Sequence, residues 1–262
     1  MSPKKILQNL ALGAYRLVSL SGVLRTAAGR GLFRWSYAAY KNAFEAGQLR
    51  ALRRFIAPDT TVIDVGANVG FYTTRFAGWV RGAGRVIAIE PDRDNFVQLR
   101  HNVERSGGAA AAELIEAAAA ESSGPLHLLR NPAHPGDHRI AEHGIEVQGC
   151  CIDDLMAHRA WPAVSLVKID VQGAELRVLR GARETLSRFR PALFVEIDDL
   201  SLSRSGATAE QLLEELSALG YRCFELAADR QPLPLDPAAI AQRRRALGYA
   251  DFLFLAQSPG QV

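Results

Sequence analysis

The sequence predicts an α/β fold: a mostly parallel sheet with helices on both faces, preceded by a helical extension. Three observations predict it. From Thr61 onward, short β-branched runs alternate with helical patterns. The first run, "TVIDV", leads directly into a glycine turn and a helical segment, "GANVGFYTTRFA". Acids stand at four of the five places where the predicted strands end, namely Asp64, Glu90, Asp170 and the stretch Glu196 to Asp199, with Ala117 to Ala119 at the fifth. Ligands in such sheets bind outside the carboxyl ends of the strands, so these are the positions to read for function.

The elements follow in order. Lys4 and Lys5 precede "ILQNLALGAYRLVSLSGVL", but Gln8, Asn9 and Arg16 interrupt it. No continuous span of about 20 apolar residues exists, which argues against a transmembrane segment or a signal peptide. Leu7, Leu10, Ala14, Leu17 and Val18 recur at helical spacing. They predict an amphipathic helix packed on the domain, with peripheral membrane contact as the alternative. Residues 1–57 form the helical extension, and Pro58-Asp59 breaks the chain before the domain at 58–262.

After "TVIDV", a helix is expected from about Gly70, then a strand from Arg85 to Glu90. Pro91-Asp92 opens a helix through about Glu104. "AELIEAA" is a third strand, and "LHLLR" and "IEVQGC" form extra strands or a hairpin. "SLVKID" is a strand ending at Asp170, followed by a helix from about Ala174 to Phe189. "ALFVEI" is next, then a helix from Thr208 to Leu219 that stops at Gly220. "YRCFEL" and "DFLFLA" close the chain. "NPAHPGDHR" and "LPLDPAAIAQRRR" read as irregular.

Composition narrows the function classes. Hydrophobic residues make up 48% and charged residues 23%, as in a soluble globular domain. With 31 Lys+Arg against 28 Asp+Glu, the net charge is +3, and no nucleic-acid partner is expected on charge grounds. Cys150, Cys151 and Cys223 offer neither a disulfide framework nor a zinc motif. Reduced thiols in a cytoplasmic protein are the expectation.

The glycine turn discriminates between cofactors. A triphosphate loop ends in Gly-Lys-Ser/Thr, and none is present. A dinucleotide turn needs G-x-G-x-x-G, but counting from Gly66 the second and third glycine positions hold Asn68 and Phe71. The side chain of Asn68 obstructs approach of a pyrophosphate. S-adenosylmethionine carries no phosphate and makes other demands. Asp64 can attract its ammonium directly or through water. The backbone of Gly66, Ala67 and Asn68 can lie along its methionine portion, with the helix N-terminus favouring the carboxylate. Glu90 can accept both ribose hydroxyls, a role that would also suit NAD. As purely structural residues, Asp64 and Glu90 would be turn and capping acids.

The blocks "VIDVGANVGFYTTRFA", "GRVIAIEPD", "VKIDVQGAE" with "VLRG", and "FVEI" occur in this order. Together they resemble the FkbM family of methyltransferases, over about Asp59 to Ile197 with a weaker tail to Leu255. The resemblance implies a class I methyltransferase (Rossmann-like) fold with a mostly parallel seven-stranded sheet. It also implies S-adenosylmethionine-dependent O-methylation of a small molecule or glycan, of sugar or polyketide type. Asp64, Gly66, Ala67, Asn68, Gly70, Glu90 and Pro91 carry over as cofactor contacts. Ala118, within "EAAAAESSG", would lie by the adenine. The family often has Glu where this chain has Gln172, so no charged role falls to Gln172.

An acceptor hydroxyl is too weak an acid to ionise near neutrality, so it needs a base or a divalent metal. Asp170 is the first candidate base, with helix capping as its structural alternative. His134 and His138, in "HPGDHR", are the others. Asp170, Glu196 and Asp198 could together hold Mg2+ through oxygen ligands. Lys168 is read as structural, facing away from the neighbours of Asp170. Arg243 to Arg245 are read as a solvated helix face, or as contacts to an anionic sugar. The alternatives are an RNA or protein methyltransferase, a non-catalytic binding module of the same fold, and an NAD enzyme. The acceptor and the oligomeric state stay open.

Overall fold

The computed structural model describes residues 46–131, 138–227 and 230–257. The expected N-terminal amphipathic helix and His134 lie outside the described residues. What is described of the extension is α1 (Ala46–Leu52), continued by a 3-10 turn at Arg53–Phe55. Leu49 and Leu52 of α1 are buried against Val62, Leu166, Phe194 and Leu253. The end of the expected extension therefore packs on one face of the sheet.

The main elements after it are β1 (Thr61–Val65), α2 (Thr73–Trp79), β2 (Arg85–Ile89), α3 (Arg93–Arg105), β3 (Ala112–Ile115), β4 (Ala118–Ala119), β5 (Gly124–Leu129), β6 (Arg139–Ala141) and β7 (Ile145–Cys150). Then come α4 (Ile152–Ala157), β8 (Val164–Ile169), α5 (Glu175–Arg180), α6 (Arg183–Phe189), β9 (Ala192–Asp198), α7 (Asp199–Arg204) and α8 (Ala209–Ala218). β10 (Tyr221–Glu225), β11 (Leu233–Pro234), α9 (Pro237–Leu247) and β12 (Tyr249–Ala256) complete the set.

The main sheet has the order β11-β10-β12-β9-β8-β1-β2-β3. β3, β2, β1, β8 and β9 run parallel, and β12 is antiparallel to both of its neighbours, β9 and β10. Seven of these strands answer the expected class I sheet. The eighth, two-residue β11, pairs with the outer edge of β10. The chain steps outward from β1 to β3 and then returns to β8 on the other side of β1. The switch point therefore lies between β1 and β8. The register sets Asp64 beside both Ala88 and Lys168.

Local chemistry explains where the elements differ from expectation. The third strand stops at Ile115, and Ala118–Ala119 pairs instead with β7 in a second sheet of order β4-β7-β5-β6. The expected hairpin is the antiparallel β5–β7 pair in that sheet. The single helix expected over 174–189 is two helices, the first capped at Gly181, where a Cβ would stand 2.1 Å from the Ala120 carbonyl oxygen. "LPLDPAAIAQRRR" is largely helical rather than irregular. Asp236 caps α9 by accepting from the Ala239 N–H at 2.7 Å, Pro237 occupies the first turn, and Gly248 ends the helix in the left-handed region. Arg244 is not a solvated residue of that helix. It is buried and pairs with Asp199 and Glu210, which ties α9 to α7 and α8. Thr208 and Gln211 form the capping box of α8. No helix among the described residues is long and apolar enough to cross a membrane.

Candidate active site

The loop after β1 is held by three left-handed residues, Gly66 (φ 73°), Asn68 (φ 49°) and Gly70 (φ 89°). Asn tolerates that region better than other side chains, which gives Asn68 a backbone reason to be there. Its Oδ1 accepts the Val69 N–H at 2.7 Å, and its own N–H donates to Glu90 Oε2 at 2.8 Å. The N–H groups of Gly66 and Ala67 both donate to the Ile89 carbonyl at 3.0 Å. The loop is thus joined to the end of β2. Gly66 is required for a further reason: a Cβ there would stand 1.8 Å from the Asp170 carbonyl oxygen.

Glu90, at the end of β2, is 4% exposed. Its Oε1 accepts the Asp92 N–H at 3.0 Å. Burial pushes its carboxyl up to about 7, against the pull of the hydrogen bonds from Asp92, Asn68 and Asn95. Each carboxylate oxygen has two lone pairs; Asp92 and Asn95 use those of Oε1 and Asn68 one of Oε2, so capacity remains for one ligand hydroxyl, on Oε2. Pro91 is half-buried and leads to Asp92, which caps α3 by accepting from Asp94 and Asn95. Ala117 to Ala120 form a strip of small buried residues with Ala118 at its centre.

Asp64 is 0% exposed. Its Oδ2 accepts from the Thr73 hydroxyl at 2.6 Å, and its Oδ1 lies 3.6 Å from Lys168 Nζ. It is enclosed by the fold, beside the loop expected to hold the methionine portion of the cofactor. Its charge acts through Lys168. Lys168 also lies on the same face of β8 as Asp170, since residues two apart in a strand share a face. Its Nζ donates to the Gly66 carbonyl at 2.9 Å, lies 3.4 Å from Asp170 Oδ2 and sits 5.3 Å from the centre of the Tyr72 ring. Lys168, read as structural, is a buried cation that joins the Gly66 carbonyl to both acids. A lysine inside the apolar run "SLVKID", two residues before an acid, was the signal for it.

Asp170 keeps 21% of its side chain exposed, whereas Asp64 keeps none. Gln172 Nε2 donates to Asp170 Oδ1 at 3.2 Å and to Glu196 Oε2 at 2.8 Å. Behind this loop, Glu175 Oε1 accepts from the N–H groups of Gly173 at 3.0 Å and Val171 at 3.4 Å. Burial, and to a lesser degree the charge of Asp170, push the Glu175 carboxyl up to about 7.

The metal expectation does not fit this donor set. Asp198 Oδ1 caps α7, accepting from Leu200 at 2.8 Å and Ser201 at 3.1 Å. An amide N–H group, not an oxygen ligand, stands between Asp170 and Glu196. Among the described residues no three His, Cys, Asp or Glu side chains are grouped to hold a metal ion. His138 is likewise not placed as a base. Its Nδ1 accepts the Asn131 N–H at 3.0 Å, so that lone pair is used, and Nε2 lies 3.6 Å from Asp92 Oδ2. Arg130 pairs with the same Asp92, at 2.7 Å, and with Asp94. His138 is a partner of the α3 cap.

S-adenosylmethionine fits the residues present. Glu90 has acceptor capacity at the end of β2, and the loop at Gly66 to Gly70 bears no phosphate-type glycine cradle. The sheet order and the switch point are those of class I methyltransferases.

Comparison with known proteins agrees. A family model, the methyltransferase FkbM domain, matches residues 64–223. Hexuronic acid methyltransferase AglP of Haloferax volcanii is 29% identical over 144 residues, covering 54% of this chain and 58% of that protein. 2-O-methyltransferase NoeI of Sinorhizobium fredii is 25% identical over 191 residues, covering 65% of this chain and 74% of that protein. A crystal structure of methyltransferase FkbM from Methylobacillus flagellatus aligns at 20% identity and a TM-score of 0.48, over 76% of this chain and 44% of that one. The chain thus spans less than two thirds of the length of the Haloferax and Methylobacillus proteins. The family match extends from Asp64 to Cys223, more than half of the chain, and takes in each of the strand-end acids described above. The chain belongs to the FkbM family of S-adenosylmethionine-dependent methyltransferases.

Proposed function

We propose that this protein transfers a methyl group from S-adenosylmethionine to a hydroxyl of a small molecule or glycan, with a sugar as the leading acceptor class. The observation that carries this reading is Asp170: a partly exposed carboxylate at the switch point, backed by a buried ammonium. The names of the two curated relatives, a hexuronic acid methyltransferase and a 2-O-methyltransferase, support a sugar acceptor. A cytoplasmic setting belongs to the same proposal, supported by Cys150, Cys151 and Cys223 being buried thiols.

When bound, S-adenosylmethionine supplies a methyl carbon already activated by a sulfonium. The protein's own work is alignment and proton handling. Glu90 takes a ribose hydroxyl and Ala118 borders the base. Lys168 carries the counter-charge for Asp64 and Asp170 together, which lets two carboxylates stand at adjacent strand ends. Asp170 accepts the proton of the acceptor hydroxyl, and Gln172 and Lys168 hold its carboxylate in place.

Calorimetric titration of the full chain with S-adenosylmethionine and with NAD tests the cofactor. Binding of the first tighter than about millimolar, and none of the second, is expected. Absence of S-adenosylmethionine binding overturns the reading. With binding in hand, labelled methyl transfer to a panel of uronic acids, neutral sugars and polyketide alcohols identifies the acceptor class.

A further inference from the structure

Gln172 occupies the place between β8 and β9 where a bridging cation would sit. Its backbone is in the left-handed region, φ 53°. A non-glycine residue stays there only when its surroundings hold it. The Val171 and Gly173 N–H groups, on either side of it, both donate to the buried Glu175 Oε1. The clamp aims the side chain at the two strand-end acids. One amide nitrogen then donates to Asp170 Oδ1 at 3.2 Å and to Glu196 Oε2 at 2.8 Å. Ser201 Oγ lies 3.5 Å from the amide oxygen, as its donor. The orientation is chemically determined: an amide oxygen facing two carboxylates would repel both, whereas NH2 has two hydrogens for two acceptors.

A divalent cation in this place would need oxygen ligands directed at it from all sides. Gln172 instead directs N–H bonds outward at the same two carboxylates. We propose that Gln172 is the positioning residue of the acceptor site, its amide replacing a bridging cation so that Asp170 is held for proton transfer without a divalent metal. This rests on the methyl-transfer reading above. Gln172 itself touches neither donor nor acceptor; it acts through Asp170 and Glu196.

Mn2+ titration followed by electron paramagnetic resonance, with steady-state kinetics, tests this on the full chain. Wild type is expected to leave the free-ion spectrum unchanged. Gln172→Glu turns the trio into three carboxylates and is expected to acquire a bound-ion spectrum, which a further Asp170→Asn removes. Gln172→Leu should lower kcat about tenfold and leave KM for S-adenosylmethionine within about twofold. Mn2+ bound by wild type and released by Asp170→Asn overturns the proposal. So does a Gln172→Glu protein that stays indifferent to Mn2+, or a Gln172→Leu protein with wild-type kcat. The spectroscopic arms need no turnover and no folded Leu variant. They therefore test the replacement of a cation by the amide separately from methyl transfer, so that failure of one is distinguishable from failure of the other.

Discussion

Glu90 is the residue at which chemistry and fold oppose each other most clearly. An unfolded chain loses this proton near 4.5, whereas the folded protein holds it to about 7. Between those values the folded state binds more protons than the unfolded one, so this group's contribution to stability falls as pH rises across the window. Glu175 acts in the same sense over the same range. A ribose hydroxyl donating to Glu90 favours its charged form. Binding of S-adenosylmethionine is therefore expected to release a proton, and affinity to rise with pH up to a plateau above about 7. Glu90→Gln should flatten that profile. Calorimetry in buffers of different ionisation enthalpy reads both effects, and a flat wild-type profile removes Glu90 from the ribose. Asp170 makes a separate prediction: Asp170→Ala abolishes methyl transfer and leaves S-adenosylmethionine affinity nearly unchanged. Loss of affinity as well would place Asp170 among the cofactor contacts. The identity of both acids was legible in the sequence, because each ends a β-branched run. Their surroundings were not. Nothing near Asp64 in sequence says that Lys168, from another strand, lies against it.

At the scale of elements, the turn after β1 shows how one glycine serves two ends. Gly66 reads in sequence as the residue that lets a ligand approach. In the structure the close approach is by the Asp170 carbonyl, and the left-handed φ adds a second requirement. Gly66→Ala is expected to push the end of β8 away and cost well over the ~1 kcal/mol of an ordinary glycine replacement. Gly206→Ala is the control: it has a similar φ of 75° but open space around it, so it should stay near ~1 kcal/mol. Urea unfolding of the two variants checks the contrast, and equal costs would refute the packing role. The helix α9 carries the opposite lesson. Asp236 and Pro237 look like chain breakers, yet they are a helix cap and its first turn. Gly/Pro signals mark boundaries without saying which side of the boundary is ordered.

At the scale of the whole molecule, the switch between β1 and β8 concentrates charge. Lys168 is 4% exposed at its side chain and joins Asp64, Asp170 and the Gly66 carbonyl across two strands and two loops. Removing one member of a buried pair leaves the other uncompensated. Lys168→Met is expected to destabilise the fold by about 3 kcal/mol, and combining it with Asp64→Asn should recover part of that loss. Denaturant midpoints with unchanged slopes would check this. A double variant less stable than the sum of the singles would show that the two residues are not a pair.

The sequence by itself determined the strand–helix alternation, the strand-end acids, the exclusion of a pyrophosphate turn and hence the donor. These are local properties: periodicity, turn chemistry and spacing are written within a few residues of where they act. The tertiary structure alone decided which strand-end acid is buried and which is partly exposed, that Lys168 lies between two carboxylates, that Asp198 and His138 are engaged in the caps of α7 and α3, and that an amide separates Asp170 from Glu196. Those facts depend on which strands become neighbours and in what register. Asp64 and Lys168 are far apart in the chain, and only the return of the chain to β8 beside β1 places the ammonium against the buried acid.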